Sequence, residues 1–286
     1  MYAITGITGQ VGGALLEQLL AAQLPVRAVV RDAAKGEALA ARGCEVALAD
    51  INDTDALARA FNGAEAVFVL MPPSFDPSLG FPEAAAVIGA LRSALLQARP
   101  ARVVCLSTVG AQAVQPNLLN QLGMMERELS TLPMPVAFLR AAWFMENSLW
   151  DVASAREGRI ASHLQPLDKP VPMVACADIG AVAAELLQSQ WEGVQVVELE
   201  GPVRISPNDI AASFSRLLGQ AVQVEAVPRA EWQAQFIRQG MRHPEPRMQM
   251  LDGFNAGWIE FEQGAAGSRK GSTTLDTALR TLLERA

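Results

Sequence analysis

At 286 residues, 50% hydrophobic and 19% charged, the chain is long and apolar enough to bury a large core, which excludes a small disulfide-stapled scaffold, a disordered chain and a coiled coil. Its 30 acidic against 23 basic side chains leave a formal net charge of -7, which repels phosphate backbones and anionic membrane surfaces, so neither nucleic acid nor membrane is an expected partner. Cys44, Cys105 and Cys176 are odd in number and far apart, so no disulfide framework or C-x-x-C site can be drawn; with no leader ahead of Tyr2-Ala3-Ile4-Thr5, the expected location is cytoplasmic.

Residues 3–5 read as a buried strand. Val11, Leu15, Leu19 and Ala22 mark the core face of a helix, and residues 26–30 read as a second strand. The alternation continues with helices near 33–42 and 54–61 and strands near 45–49 and 66–70; the apolar run of the last stops at Pro72, far short of the ~18 residues of a membrane span. Helices near 82–98 and 118–132 then alternate with strands near 102–106 and 136–139. Almost wholly apolar strands alternating with helices predict an α/β fold with a doubly wound parallel sheet, its main domain spanning residues 1–150. Beyond it the rhythm loosens: a helix near 146–156, a proline-rich loop (Pro166, Pro170, Pro172), then a helix near 179–190 and a strand near 194–199, with 176–200 returning to the sheet. Residues 151–286 are otherwise expected to form a smaller α+β lobe for the substrate. There Ser206 or Asn208 opens a helix ending at Gly219, a strand covers 222–227, and residues 267–272 read as a flexible connector. The chain closes on an amphipathic helix (Leu275, Ala278, Leu279, Leu282, Leu283) with Thr273 and Asp276 placed as a capping box.

The segment Thr5-Gly6-Ile7-Thr8-Gly9-Gln10-Val11-Gly12-Gly13 follows the first strand and opens the first helix. A dinucleotide pyrophosphate needs backbone N–H groups at a helix N-terminus, and glycines where a Cβ would block the turn, the phosphate or the strand packing. Gly6, Gly9 and Gly12 are available for those tasks, with Thr8, Gln10 and Val11 completing the candidate site. At the end of the second strand, where an acid about 20 residues on would take the ribose hydroxyls of NAD, the chain has Arg31. A guanidinium there complements a 2'-phosphate, Lys35 can add a second charge, and Asp32 reads as a helix N-cap. NADP(H) is therefore the preferred cofactor, with NAD(H) possible. Asp50 closes the third strand, either as an acceptor for the adenine amine or as a helix cap. Met71 and Pro72 follow the fourth strand at the carboxyl edge, where ligands sit in such sheets.

Together with Leu139-Arg140-Ala141-Ala142-Trp143-Phe144-Met145-Glu146-Asn147 and Ala177-Asp178-Ile179-Gly180, these segments resemble the NmrA-like group of atypical short-chain dehydrogenase/reductases. The resemblance covers about two thirds of the chain. It implies a Rossmann-type nucleotide domain and an NAD(P)H-dependent quinone or dye reductase, or else a redox-sensing regulator.

Typical short-chain reductases donate a proton from a tyrosine assisted by a lysine four residues on. Here the only tyrosine is Tyr2, in the first strand; the only lysines are Lys35, Lys169 and Lys270, and an apolar residue near Leu122 stands where relatives often carry a lysine or histidine. An enzyme of this kind needs an acceptor that takes hydride without strong acid catalysis: a hydrophobic, planar, electrophilic quinone, conjugated cation or imine. The alternative is a non-catalytic NADP(H) sensor that binds a protein partner. No catalytic residue is assigned; Ser107 and Thr108, after the fifth strand, can either meet a substrate oxygen or satisfy turn backbone. Trp143, Phe144 and Met124 are candidate pocket residues with core packing as their alternative, and Asn147 can either contact the ligand or hold a loop. His163 has the surface as its default place and proton donation from the proline-rich loop as its functional one. No metal site is expected, and the chain is read as a monomer or homodimer.

Overall fold

The first half of the chain, in a computed structural model that describes residues 1–285, alternates as its apolar runs dictate: β1 (Tyr2–Ile4), α1 (Gln10–Ala21), β2 (Val26–Val30), α2 (Ala33–Ala40), β3 (Glu45–Leu48), α3 (Thr54–Phe61), β4 (Ala66–Val69), α4 (Pro82–Ala98), β5 (Arg102–Thr108), α5 (Asn120–Leu129) and β6 (Val136–Ala141). After the short β7 (Trp143–Phe144), residues 145–151 form a 3-10 turn, so only Val152–Arg156 (α6) of the expected helix is α-helical. Then follow β8 (Arg159–Ser162), β9 (Met173–Val174), α7 (Cys176–Gln188), β10 (Val194–Glu200), α8 (Pro207–Leu218), β11 (Gln223–Ala226), α9 (Trp232–Arg238), α10 (Glu245–Ala256), α11 (Gly264–Gly267), β12 (Arg269–Lys270) and α12 (Leu275–Arg285). No helix among the described residues is long and apolar enough to cross a membrane.

Eight strands form one sheet in the order β12-β10-β6-β5-β4-β1-β2-β3, every pair parallel. Such a sheet needs apolar cover on both faces. Ile4 and Phe68 pack under α1 and α7 on one side, while Val67 and Val103 meet Leu57, Leu91 and Leu129 of α3, α4 and α5 on the other. Gly180 lets α7 lie against α1 at backbone distance, since a Cβ there would sit 2.6 Å from the Ala14 carbonyl carbon. The order reverses between β1 and β4, so the loops following them diverge and open a crevice at the carboxyl edge.

Two expectations for the C-terminal part are corrected. Residues 267–272 are not a loose connector: Arg269 and Lys270 pair with Leu199 and Glu200 as the eighth strand. The reason is charge. Arg269 grips Glu185, while Lys270 and Ser268 both bond the buried Glu200, so a polar stretch finds carboxylates waiting at the sheet edge. The last helix is opened by Thr274, whose hydroxyl accepts from the Thr277 amide, rather than by Thr273 and Asp276. Thr273 instead donates to Asp178, at 2.9 Å from its hydroxyl and 3.0 Å from its amide, and Asp276 accepts from Ser213 and Arg216. The Ala177–Gly180 segment therefore does packing work: Asp178 ties down the chain end and Gly180 seats α1.

Candidate functional site

A cleft of ≈ 830 Å³ runs along the carboxyl edge of the sheet. At its centre, Thr5 through Val11 form one wall. Gly6 takes φ +64°, which glycine alone adopts without strain, and a Cβ on Gly12 would fall 2.2 Å from the Gly6 carbonyl oxygen. The turn can close only because both lack side chains. Gly9 precedes the first helical residue; no side chain caps α1, and its first turn has no acid. Its leading N–H groups thus stay open beside the cleft, where the helix dipole favours an anion. This is a fit for a diphosphate.

Toward β2, the cleft is lined by Arg31, Asp32, Lys35 and Asp50. Asp32 is spent as the cap of α2, accepting from the Ala34 amide at 2.9 Å. Arg31 and Lys35 make no ion pair among the described residues and stand exposed at the cleft edge. Asp50 is not a helix cap, because Asp53 caps α3. Its Oδ1 accepts from the Asn52 amide and side chain, and these bonds hold its carboxyl below the usual range. Met71 and Pro72 line the opposite wall.

Toward the C-terminal part, the cleft is walled by Trp143, Phe144 and Asn147, with Leu122 also on its lining. Met124 does not line it. Two residues beyond Leu122 on α5, it is partly buried against the core on the far face of the sheet. Tyr2 is buried in β1, outside the cleft, and Lys169 lies away from it, its ammonium donating to the Phe254 and Asn255 carbonyls. His163 is corrected from a surface residue: half-buried on the cleft wall, it stacks on Phe236 at 5.1 Å and shares a hydrogen bond with Gln235. Burial pushes its pKa down, so near neutrality it carries no charge.

Ser107 and Thr108 line the cleft with their protons already committed. The Ser107 hydroxyl donates to Glu126 at 2.5 Å, and Thr108 donates to the Val109 carbonyl. Each therefore offers only lone pairs to a ligand. Glu126 is clamped by both arms of Arg140, at 3.0 and 2.7 Å, and Arg140 also reaches Glu198 and Glu262. Burial opposes the Arg140 charge, but the three carboxylates more than offset it and raise its pKa.

Two charged groups in this half were not singled out in the sequence. Asp151 lines the cleft with no hydrogen-bond partner for its carboxyl among the described residues, and burial pushes its pKa up to about 6. Nothing in its local sequence marks it. Arg247 projects from α10 with Met250, Leu251 and Phe254, all on the lining. That i, i+3, i+4, i+7 spacing does mark a buried helix face, with an arginine on it.

The NmrA-like family profile matches residues 2–256. Among curated proteins, the chain is 30% identical to an NAD(P)H azoreductase of Xenophilus azovorans over 247 residues, covering 86% of this chain and 82% of that one. It is 28% identical to quinone oxidoreductase 2 of Escherichia coli over 84% of this chain and 82% of the other. Among solved structures, an NADPH-dependent quinone oxidoreductase of Escherichia coli, crystallised with NADPH, superposes with a TM-score of 0.80 at 25% identity over 99% of each chain. A triphenylmethane reductase of Citrobacter has the same fold, with a TM-score of 0.81 at 22% identity and 99% coverage of each chain. A family match along most of the chain, joined to this glycine-turned cleft, establishes that the protein belongs to the NmrA-like family.

Proposed function

We propose that this NAD(P)H-dependent oxidoreductase passes hydride from NADPH to a hydrophobic, planar, electrophilic small molecule of the quinone, azo or imine type. The observation that carries the reading is one continuous cleft joining an uncapped glycine turn, and two unpaired cations beyond it, to an aromatic-walled chamber. A reduced nicotinamide supplies the hydride when bound. The residues of this chain bind and orient: the α1 amides and Gly6–Gly12 take the diphosphate, Arg31 and Lys35 take the 2'-phosphate, and Trp143 and Phe144 flank a flat acceptor. Because Ser107 and Thr108 have no free proton, acceptors that need a strong hydroxyl acid fit poorly. The test is steady oxidation of NADPH in the presence of a panel of quinones, azo dyes and imines. Tight NADPH binding with no turnover across the panel would sink the reductase reading in favour of a non-catalytic sensor.

Arg31→Glu is expected to weaken NADPH binding by roughly 10- to 100-fold while changing NADH binding only a few-fold, since it removes charge-assisted bonds that only the 2'-phosphate can make. Calorimetric titration of both nucleotides checks this; equal losses for the two would discard the assignment.

Asp151 delivers the proton that accompanies hydride when a quinone becomes a hydroquinone. Its carboxyl holds a proton up to about pH 6 in the folded chain, against 3.8 ordinarily. The folded state therefore binds the extra proton between those limits, and stability falls as pH rises through that window. Asp151→Asn removes the effect, so the variant is expected to be more stable than the parent at pH 7–8 by up to ~3 kcal/mol, the two converging near pH 4. In the same variant, the fall of quinone kcat/KM above pH 6 should flatten. A denaturant melt at both pH values and a pH–rate profile give the two readouts, and a parent profile that is flat from pH 5 to 8 would remove Asp151 from the reaction.

A further inference from the structure

The chamber holds a guanidinium without a counter-ion. Among the arginines of the C-terminal half, Arg204, Arg216, Arg229 and Arg269 each grip a carboxylate. Arg247 is different. It is half-buried on the cleft wall, pairs with no acid among the described residues, and has only the Met241 sulfur, at 3.9 Å, as a polar contact. Two rings hold it in place: its guanidinium carbon lies 4.6 Å from the centre of Phe236 and 5.9 Å from that of Phe75. Half-burying an arginine without a partner is costly, and ring faces recover only part of the lost hydration. Desolvation accordingly pulls its pKa down. The aromatic faces leave the guanidinium's N–H edge as the part free to bond, and that edge matches a planar or tetrahedral oxyanion.

We propose that Arg247 is an anion subsite of the substrate chamber, and that the natural acceptor is a planar conjugated molecule bearing a carboxylate, sulfonate or phosphate group. The inference rests on the chamber being a substrate site, as argued above. It also narrows that reading. Arg247 forms no ion pair with Asp151, the carboxyl that shares this part of the lining, so a cationic acceptor would meet the guanidinium's charge uncompensated, and anionic acceptors are selected for. Phe75 and Trp150, exposed and edge-to-face at 6.1 Å, flank the mouth through which a flat ring would enter.

The experiment compares naphthalene-2-sulfonate with the isosteric, neutral naphthalene-2-sulfonamide by calorimetry on the NADP+-loaded protein. The parent should bind the sulfonate more tightly, and Arg247→Met should lose roughly 10- to 100-fold in sulfonate affinity while sulfonamide affinity moves less than about three-fold. Arg247→Lys should recover part of the sulfonate preference. Equal affinities in the parent, or equal losses for both ligands in Arg247→Met, would overturn the subsite. A parallel NADPH oxidation assay with 1,4-naphthoquinone-2-sulfonate and 2-methyl-1,4-naphthoquinone keeps the two readings apart. Arginine-dependent sulfonate binding without any turnover would reject the reductase and leave the subsite standing; turnover of both quinones with no arginine-dependent preference would do the reverse.

Discussion

Gly12→Ala is expected to abolish useful NADPH binding, with affinity falling ~100-fold or more, and to destabilise the fold by roughly 1–3 kcal/mol or beyond. The new Cβ would lie 2.2 Å from the Gly6 carbonyl oxygen and 2.7 Å from the Ile7 Cα. Both are backbone atoms, so no rotamer change relieves the clash; the β1–α1 turn must open, and the α1 amides move with it. Gly13→Ala is the control one residue away. Its Cβ would meet nothing nearer than the Ile7 carbonyl oxygen at 3.9 Å. Alanine inside a helix is favoured over glycine, so that variant should gain up to ~1 kcal/mol and bind NADPH as the parent does. Nucleotide titration and thermal melts of the pair decide the matter. If Gly12→Ala binds as well as Gly13→Ala, the turn is not a diphosphate cradle.

Arg140→Met is expected to cost ~3–5 kcal/mol, which for a chain of this size lowers the melting temperature by roughly 10 °C. Glu126 and Glu198 are each under a tenth exposed and share this guanidinium as their counter-charge, although Ser107 also donates to Glu126 and the Glu262 and Gln263 amides to Glu198. Its removal leaves two buried carboxylates without a counter-charge. It also loosens Glu126, the acceptor that fixes the Ser107 hydroxyl at the cleft wall. Neutralising the stranded acids in an Arg140→Met/Glu126→Gln/Glu198→Gln variant should recover part of the loss, because the penalty is unpaired charge rather than missing volume. A single-variant loss below 1 kcal/mol, or no recovery in the triple variant, would show that the cluster is not the strut it is taken for.

The Leu139–Asn147 segment shows where sequence reasoning reached and where it stopped. As a motif it supported the family resemblance, and Trp143, Phe144 and Asn147 do line the cleft. Yet the roles of its two charged members were hidden. Arg140 acts through Glu126, Glu198 and Glu262, which lie in α5, in β10 and beyond α10. Glu146 turns away to accept from the Cys176 amide at the start of α7, and burial raises its pKa. Met124 failed for a related reason. Leu122 and Met124 both pack against the far core, and only the neighbours of α5 decide that Leu122 alone of the two also reaches the cleft.

By itself, the sequence determined the doubly wound parallel fold, the glycine turn ahead of α1, the cap at Asp32 and the cation at Arg31. All are short-range: strand and helix periods, a missing Cβ at a turn, and the residue that ends a strand act within a few positions of one another. Tertiary structure alone decided that residues 269–270 complete the main sheet, that Ser107 has no proton to give, and that Asp151, His163 and Arg247 face one chamber. Those outcomes depend on charges and faces supplied by segments distant along the chain. Pairing between such segments is set by which buried groups remain unsatisfied once the core has closed, and local spacing carries no record of it.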